Sequence, residues 1–393
     1  MHLTKIKKTL PSFITQKHEH FIADRISSNS ENHPVVCGGR PSATDVVMQT
    51  NDYLCLHDHS EIQQAHIQGI RETNESLLMS GVYLLGAEKE SDFESKLARH
   101  VGFESCLVTQ SGWTANVNLL QAICQKDTNV YVDFFAHASL WEGARIAGAN
   151  VHMFMHNNIK HLKRQISRNG SGIILVDSIY STVGTVAPLV DLVSLAYEYD
   201  CALVVDESHS LGTHEPRGAG LVAELGLTEH VDYITASLAK TYAYRAGVIL
   251  ANEKTNYCVP MVAFPAIFSS TMLPYELARL SKTHDVIVSS EKRRMSLTEN
   301  AEYLNKQLRT IGFDIQSNSQ IIGLETGEVE NTIKVRNFFE ENGVFGSVFA
   351  PPATPNNKHI LRLSINAKHT KQDLDRVIEV CRLAWNNDDL NFD

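Results

Sequence analysis

Ala202-Leu203-Val204-Val205-Asp206-Glu207-Ser208-His209-Ser210-Leu211-Gly212 is the stretch on which the reading of this chain turns. Its first four residues are apolar without alternation, as in a strand covered on both faces. The run closes on a carboxylate, followed by Ser, His and Gly, which favour turns. The same form recurs at Asn129-Val130-Tyr131-Val132-Asp133 and Ile173-Ile174-Leu175-Val176-Asp177, and Cys106-Leu107-Val108-Thr109 and Val231-Asp232-Tyr233-Ile234-Thr235 are further strand candidates. Helical stretches lie between them, one opened by the capping-box pattern Ser91-Asp92-Phe93-Glu94. This alternation predicts an α/β domain with a parallel sheet and crossover helices. In such sheets ligands bind beyond the carboxyl ends of the strands, so a strand-end Asp is either a helix cap or a site residue.

Working outward, residues 11–26 place Ile14, Phe21, Ile22 and Ile26 at near-helical spacing and predict a short amphipathic N-terminal helix. From about residue 285 a charged helix over Glu291–Leu308 leads into short strands at Ile321–Leu324 and Ile360–Ile365. A last helix is capped by Thr370-Lys371-Gln372-Asp373. The expected division is an N-terminal helical arm over 1–45, a large domain over 46–284 and a smaller α+β C-terminal domain over 285–393.

The 393 residues carry a formal charge of −10, which argues against a general nucleic-acid binder. Seven scattered cysteines with no C-x-x-C fit reduced thiols, and no long uncharged apolar run predicts a membrane span. Lys5, Lys7 and Lys8 precede no apolar segment of the kind a secretory leader needs, so a cytoplasmic protein is expected. His57-x-His59, His18-x-His20 and His152…His156 lack a matching ligand set, so no metal is expected. Neither a P-loop, nor G-x-G-x-x-G, nor a G-x-S-x-G elbow is present.

Asp206 stands apart because His209 follows three residues on. A strand-end carboxylate with a nearby imidazole suits a protonated pyridine ring, the Asp facing the ring N–H and the His the ring oxygen. Ser237-Leu238-Ala239-Lys240 follows about thirty residues later. A serine three before a lysine can bind a phosphate while the amine reaches an aldehyde carbon. Ser-x-x-Lys alone says little; joined to Asp-x-x-His it points to pyridoxal phosphate held as a Schiff base on Lys240. Gln110-Ser111-Gly112-Trp113 follows a strand and opens a helix, whose free amides suit the phosphate. His137 follows the Asp133 strand end and, beside the other residues, suits stacking on the ring.

The ordered set S-G-W-x-A-N (111–116), D-x-x-x-H-A-S (133–139), D-E-S-H-S-x-G (206–212), R-G-A-G (217–220) and S-x-x-K (237–240) resembles the α-oxoamine synthases. The resemblance runs from Asn51 to Thr370. It implies a fold-type I, aspartate-aminotransferase-like large domain with a seven-stranded, mostly parallel sheet, and pyridoxal 5′-phosphate as cofactor. Carried over by position, it implies that Lys240 bears the cofactor and moves the α-proton, and that Asp206 pairs with the ring nitrogen. His209 and Ser181 would serve the ring hydroxyl and His137 the ring face. The Gly112 and Trp113 amides with Ser237 would hold the phosphate. Ser270, or a neighbour in the Ser269-Ser270-Thr271 run, would reach the phosphate of a second subunit in a homodimer. Arg362 and Asn51 would bind the carboxylate of an amino substrate.

Further stretches, among them Val132–His137, Ser139–Arg145, Thr235–Lys240 and Pro265–Ser270, resemble the branch that makes quorum-sensing autoinducers. This implies an acyltransferase that condenses a medium-chain acyl-CoA with S-adenosylmethionine or 2-aminobutyrate, with decarboxylation. The alternatives are another α-oxoamine synthase or an aminotransferase on the same fold. Tyr242, Tyr244, Arg245, Glu215 and the segment Met79–Gly86 depart from the wider family. They are expected to line the entry for substrate and acyl-CoA.

Overall fold

The computed structural model describes residues 9–27, 29–73, 79–84 and 91–392. Seven strands form the main sheet: β1 (Ser105–Thr109), β2 (Asn129–Asp133), β3 (Asn150–Phe154), β4 (Ile173–Asp177), β5 (Ala202–Asp206), β6 (Tyr233–Ser237) and β7 (Gly247–Ala251). Their spatial order is β1-β7-β6-β5-β4-β2-β3. Every neighbouring pair is parallel except those made by β7, which runs antiparallel to both β1 and β6. The short Leu238–Ala246 connection has no room for a crossover helix, so β7 must return antiparallel. The sheet is thus seven-stranded and mostly parallel, of aspartate-aminotransferase-like type.

The apolar runs form strands because both faces are covered. Ile174, Leu175 and Val176 of β4 are fully buried, as are Leu203, Val204 and Val205 of β5. At about 1.5–3 kcal/mol for each such side chain, the six contribute on the order of 9–18 kcal/mol, an upper bound because unfolded chains already bury some apolar surface. Register then aligns the strand ends: Asp177 lies beside Asp206, and Asp206 beside Thr235. One row at the carboxyl edge of the sheet therefore concentrates polar groups.

The capping box at Ser91 forms as read: Ser91 Oγ accepts the Glu94 amide, and Glu94 Oε2 accepts the Ser91 amide at 3.1 Å. The Thr370 box forms likewise at the start of the helix Lys371–Trp385. Toward the C-terminus a three-stranded antiparallel sheet is built from β8 (Ile321–Gly327), β9 (Ser347–Phe349) and β10 (His359–Ser364), with β10 central. Val46–Val47 pairs in parallel with Val344–Phe345, tying the early chain to this later region.

The N-terminal helix spans Ser12–Arg25, but none of its residues is buried. Phe13 and Phe21 are more than half exposed. The amphipathic reading is corrected to that extent: within one chain the apolar side has no core to enter. None of the helices described is long and apolar enough to cross a membrane.

Candidate active site

The carboxyl ends of β5 and β6 hold the centre of the site. Asp206 is buried, with each carboxylate oxygen engaged. Oδ1 accepts the Ser208 amide at 2.9 Å and the Ser208 hydroxyl at 2.5 Å, and Oδ2 accepts Asn116 Nδ2 at 2.8 Å. Asn116 also donates to Ser139 Oγ at 2.8 Å and accepts from Thr235 Oγ1 at 2.5 Å, so it ties its own helix and the helix Ala138–Ile146 to strands β5 and β6. Ser208 Oγ further accepts the Ser237 amide at 2.7 Å. The carboxylate is thus oriented by hydrogen bonds from buried or half-buried groups.

Lys240 lies in the turn after β6, half-buried, and its amine makes no hydrogen bond or ion pair to the described residues. Burial, with the Arg362 guanidinium adding to it and Asp206 opposing, holds the amine below the usual lysine range. That is the state a Schiff-base lysine needs. His209 is buried and its imidazole is pushed well below its ordinary value by burial and by Lys240, Arg362 and His137. His137 caps the helix Ala138–Ile146, accepting the Ser139 amide on Nδ1 at 3.3 Å. Burial and Lys240 lower its pKa against Asp206, and the edge of Trp113 meets it at 6.1 Å. These mutual influences place Lys240, Asp206, His209, His137 and Arg362 in one electrostatic neighbourhood.

The helix Gly112–Ile123 starts here. Ser111 caps it through the Thr114 amide at 3.1 Å, and its carbonyl takes the Ala115 amide. The Gly112 and Trp113 amides are left unpartnered among the described residues, at the positive end of a helix. Two glycines permit this approach. A Cβ on Gly112 would lie 2.5 Å from Ser237 Cβ, and one on Gly247 would lie 2.3 Å from the Ser111 carbonyl oxygen. Ser237 and the helix terminus are therefore held together with space for backbone only.

Arg362 comes from the other sheet, at the register of Ser347 on β9. Its guanidinium is buried over the Phe349 ring at 4.6 Å and donates to the Ser181 carbonyl at 2.8 Å and to Asn51 Oδ1 at 2.9 Å. Nε has no partner. Ser181 meets Arg362 through its main chain. Just before the capping Ser111, Gln110 Nε2 donates to the Ser270 carbonyl at 2.6 Å and to Ser269 Oγ at 3.0 Å. The Ser269 hydroxyl itself donates to Pro265.

The other strand-end carboxylates are structural. Asp133 accepts the Phe135 and Asn157 amides, each at 2.8 Å, and pairs with His156 at 2.9 Å. Asp177 accepts the His137 amide at 3.1 Å, and burial beside Asp206 and Asp133 raises its pKa well above the carboxylate range. Tyr242 is corrected: it is 2% exposed, its ring edge meets Phe93 and its hydroxyl bonds His284 at 3.0 Å, so it is core and lines no entry. Tyr244 bonds Glu276 at 3.0 Å, and Glu215 pairs with Arg294 at 2.6 Å. Residues 85–86 of the Met79–Gly86 segment lie outside the described residues. Asn116, Ser139, Ser208 and Thr235 were passed over in the sequence, although the first three stand inside the motifs that carried the resemblance. Their roles depend on contacts across 23 to 119 residues.

A protonated ring nitrogen, a phosphate and an aldehyde carbon find, respectively, an oriented carboxylate, free helix-terminal amides and an unpartnered amine. Pyridoxal phosphate fits that donor set. Residues 44–380 match the family Aminotransferase class I and II. The chain is 54% identical over 385 residues to the CAI-1 autoinducer synthase of Vibrio campbellii, covering 98% of each. It is 28% identical over 340 residues to a serine palmitoyltransferase of Bacteriovorax stolpii, covering 85% of this chain and 81% of that one. Among solved structures, one of SPT with PLP superposes with a TM-score of 0.85 at 22% identity, over 94% of this chain and 98% of the other. The Sphingomonas wittichii serine palmitoyltransferase gives 0.82 at 20% identity, over 96% and 98%. The chain belongs to the class I and II aminotransferase family of pyridoxal-phosphate enzymes, among its α-oxoamine synthase members.

Proposed function

We propose that the enzyme joins a medium-chain acyl-CoA to S-adenosylmethionine or to a short amino acid such as 2-aminobutyrate, releasing CoA and carbon dioxide. The product is an α-aminoketone, precursor of an α-hydroxyketone quorum-sensing autoinducer. The observation that carries this reading is the 54% identity, over 98% of both chains, to a CAI-1 autoinducer synthase. With S-adenosylmethionine as donor, the thioether side chain must be lost as well.

Bound pyridoxal phosphate supplies an electron sink for negative charge at the substrate α-carbon. The chain supplies the rest. Asp206, oriented by Asn116 and Ser208, sets a negative charge against the ring nitrogen. Lys240, its amine held below the usual lysine range, takes and returns the α-proton. Arg362, preset by Ser181 and Asn51 with Nε unpartnered among the described residues, binds the substrate carboxylate. His137 covers the ring face, Ser181 and His209 serve the ring hydroxyl, and Ser237 joins the Gly112 and Trp113 amides at the phosphate. The strongly exposed Phe264 and Phe268 beside Ser270 offer apolar surface to a second copy, as a homodimer requires. A cytoplasmic setting suits an acyl-CoA consumer whose seven cysteines are all free of disulfides.

Mass spectrometry of products from purified enzyme given mixed acyl-CoAs and competing amino donors tests the proposal. Free CoA in step with an α-aminoketone is expected. A keto acid without CoA release would replace this reading with an aminotransferase. Lys240→Ala should lose the visible cofactor absorbance; an unchanged spectrum would refute the lysine assignment.

A further inference from the structure

The turn over Asn51–Leu56 brings a tyrosine against His209. Asp52 fixes the turn by accepting the Leu56 amide at 2.8 Å and the His57 amide at 2.9 Å, and the Ala367 amide binds the Tyr53 carbonyl at 2.8 Å. Tyr53 is fully buried. Its hydroxyl lies 2.6 Å from His209 Nδ1 and 3.2 Å from Asn51 Oδ1. Asn51 Oδ1 already accepts from Arg362 at 2.9 Å, and the His209 carbonyl is held by Gln320 Nε2 at 2.6 Å. An unbroken polar line therefore runs Arg362–Asn51–Tyr53–His209.

Counting protons along this line decides the imidazole. Asn51 Oδ1 has none to give. Burial raises the Tyr53 phenol above its ordinary range, so it keeps its single proton. Of its two acceptors the nearer by 0.6 Å is His209 Nδ1. Burial and the facing Lys240, Arg362 and His137 keep His209 neutral, with one ring N–H. If Nδ1 accepts from Tyr53, that proton is on Nε2.

We infer that Tyr53 is a positioning residue that fixes the Nε2–H tautomer of His209. Nε2–H then serves as a donor for the ring oxygen of pyridoxal phosphate, and Asn51 links that donor to the carboxylate-binding Arg362. The inference rests on the family and the site geometry and is independent of which acyl and amino substrates are used.

Nitrogen-15 NMR of histidine-labelled protein without cofactor reads the tautomer directly, with His209→Gln assigning the signal. Wild type should show His209 protonated on Nε2. In Tyr53→Phe the preference should fall toward a mixture or invert. Pyridoxal phosphate should dissociate roughly fivefold more readily, the equilibrium value of one ordinary hydrogen bond. The pH midpoint of the bound cofactor's absorbance should also move, while the thermal midpoint stays within a few degrees of wild type. Nδ1–H in the wild-type protein overturns the inference by itself, even if the variant does not fold. A folded Tyr53→Phe protein with unchanged tautomer, cofactor affinity and absorbance titration overturns it equally.

Discussion

Asn116→Ala should be among the most damaging single changes at the carboxyl edge of the main sheet. The side chain makes three contacts between buried groups: Nδ2 to Asp206 Oδ2 and to Ser139 Oγ, each 2.8 Å, and Oδ1 to Thr235 Oγ1 at 2.5 Å. The bond to the carboxylate is worth about 1.5–3 kcal/mol and the two neutral ones about 1 kcal/mol each, because the groups left behind have no bulk water to turn to. The expected loss is therefore about 3–5 kcal/mol of unfolding free energy, at the severe end for point substitutions. Urea unfolding followed by far-UV circular dichroism measures it, and the cofactor absorbance reports whether Asp206 has shifted. Asn116→Asp supplies the control. It keeps the acceptor for Thr235 but sets a carboxylate against Asp206, so its deficit should grow as pH rises through the carboxylate range and shrink in acid. A loss below about 1 kcal/mol in Asn116→Ala would refute the reasoning, since it would mean water or repacking satisfies all three partners.

Other consequences can be checked as readily. Glu207 is fully buried, and burial raises its pKa to about 7. A raised acid favours folding below its unfolded value and loses that contribution as pH climbs through the folded one. Glu207→Gln should therefore flatten a decline of about 3 kcal/mol between roughly pH 4.5 and 7, read from unfolding midpoints across that window. His284 titrates the other way: burial and neighbouring His100 lower it to about 4. Its contribution is complete above about pH 6.5 and lost as pH falls toward 4, so His284→Gln should reduce the acid sensitivity of the thermal midpoint in that range. Gly112→Ala must push Ser237 away from the helix terminus, because the new Cβ would lie 2.5 Å from Ser237 Cβ. Pyridoxal phosphate titrations should show cofactor affinity falling at least tenfold, with secondary structure retained.

The β5 strand and its Asp206-x-x-His209 ending were legible because continuous apolar runs and turn residues are local signals. So were the capping boxes at Ser91 and Thr370, whose partners lie three residues apart. Strand alternation implied a parallel sheet, and the ordered motifs implied its size and cofactor. The departures near Lys240 were misread at Tyr242. A tyrosine after a catalytic-looking lysine reads as site lining in sequence, but the turn points it into the core against Phe93 and His284. The N-terminal helix was found, while its lack of a buried face within one chain was not visible from spacing.

By itself, then, the sequence determined the layers of this protein, the ends of its strands and the residue types gathered there, since these follow from short-range periodicity and turn chemistry. Tertiary structure alone decided which of those groups meet. Asn116 reaches Asp206 across 90 residues, Arg362 reaches Asn51 across 311, and Tyr53 reaches His209 across 156. Hydrogen bonds of that span depend on sheet register and on how the second sheet docks, and buried groups must find partners wherever packing places them. That is why Lys240 and Asp206 could be singled out as candidates from the chain alone, whereas the hydrogen-bond network around Asp206 and the tyrosine that lies against His209 could not.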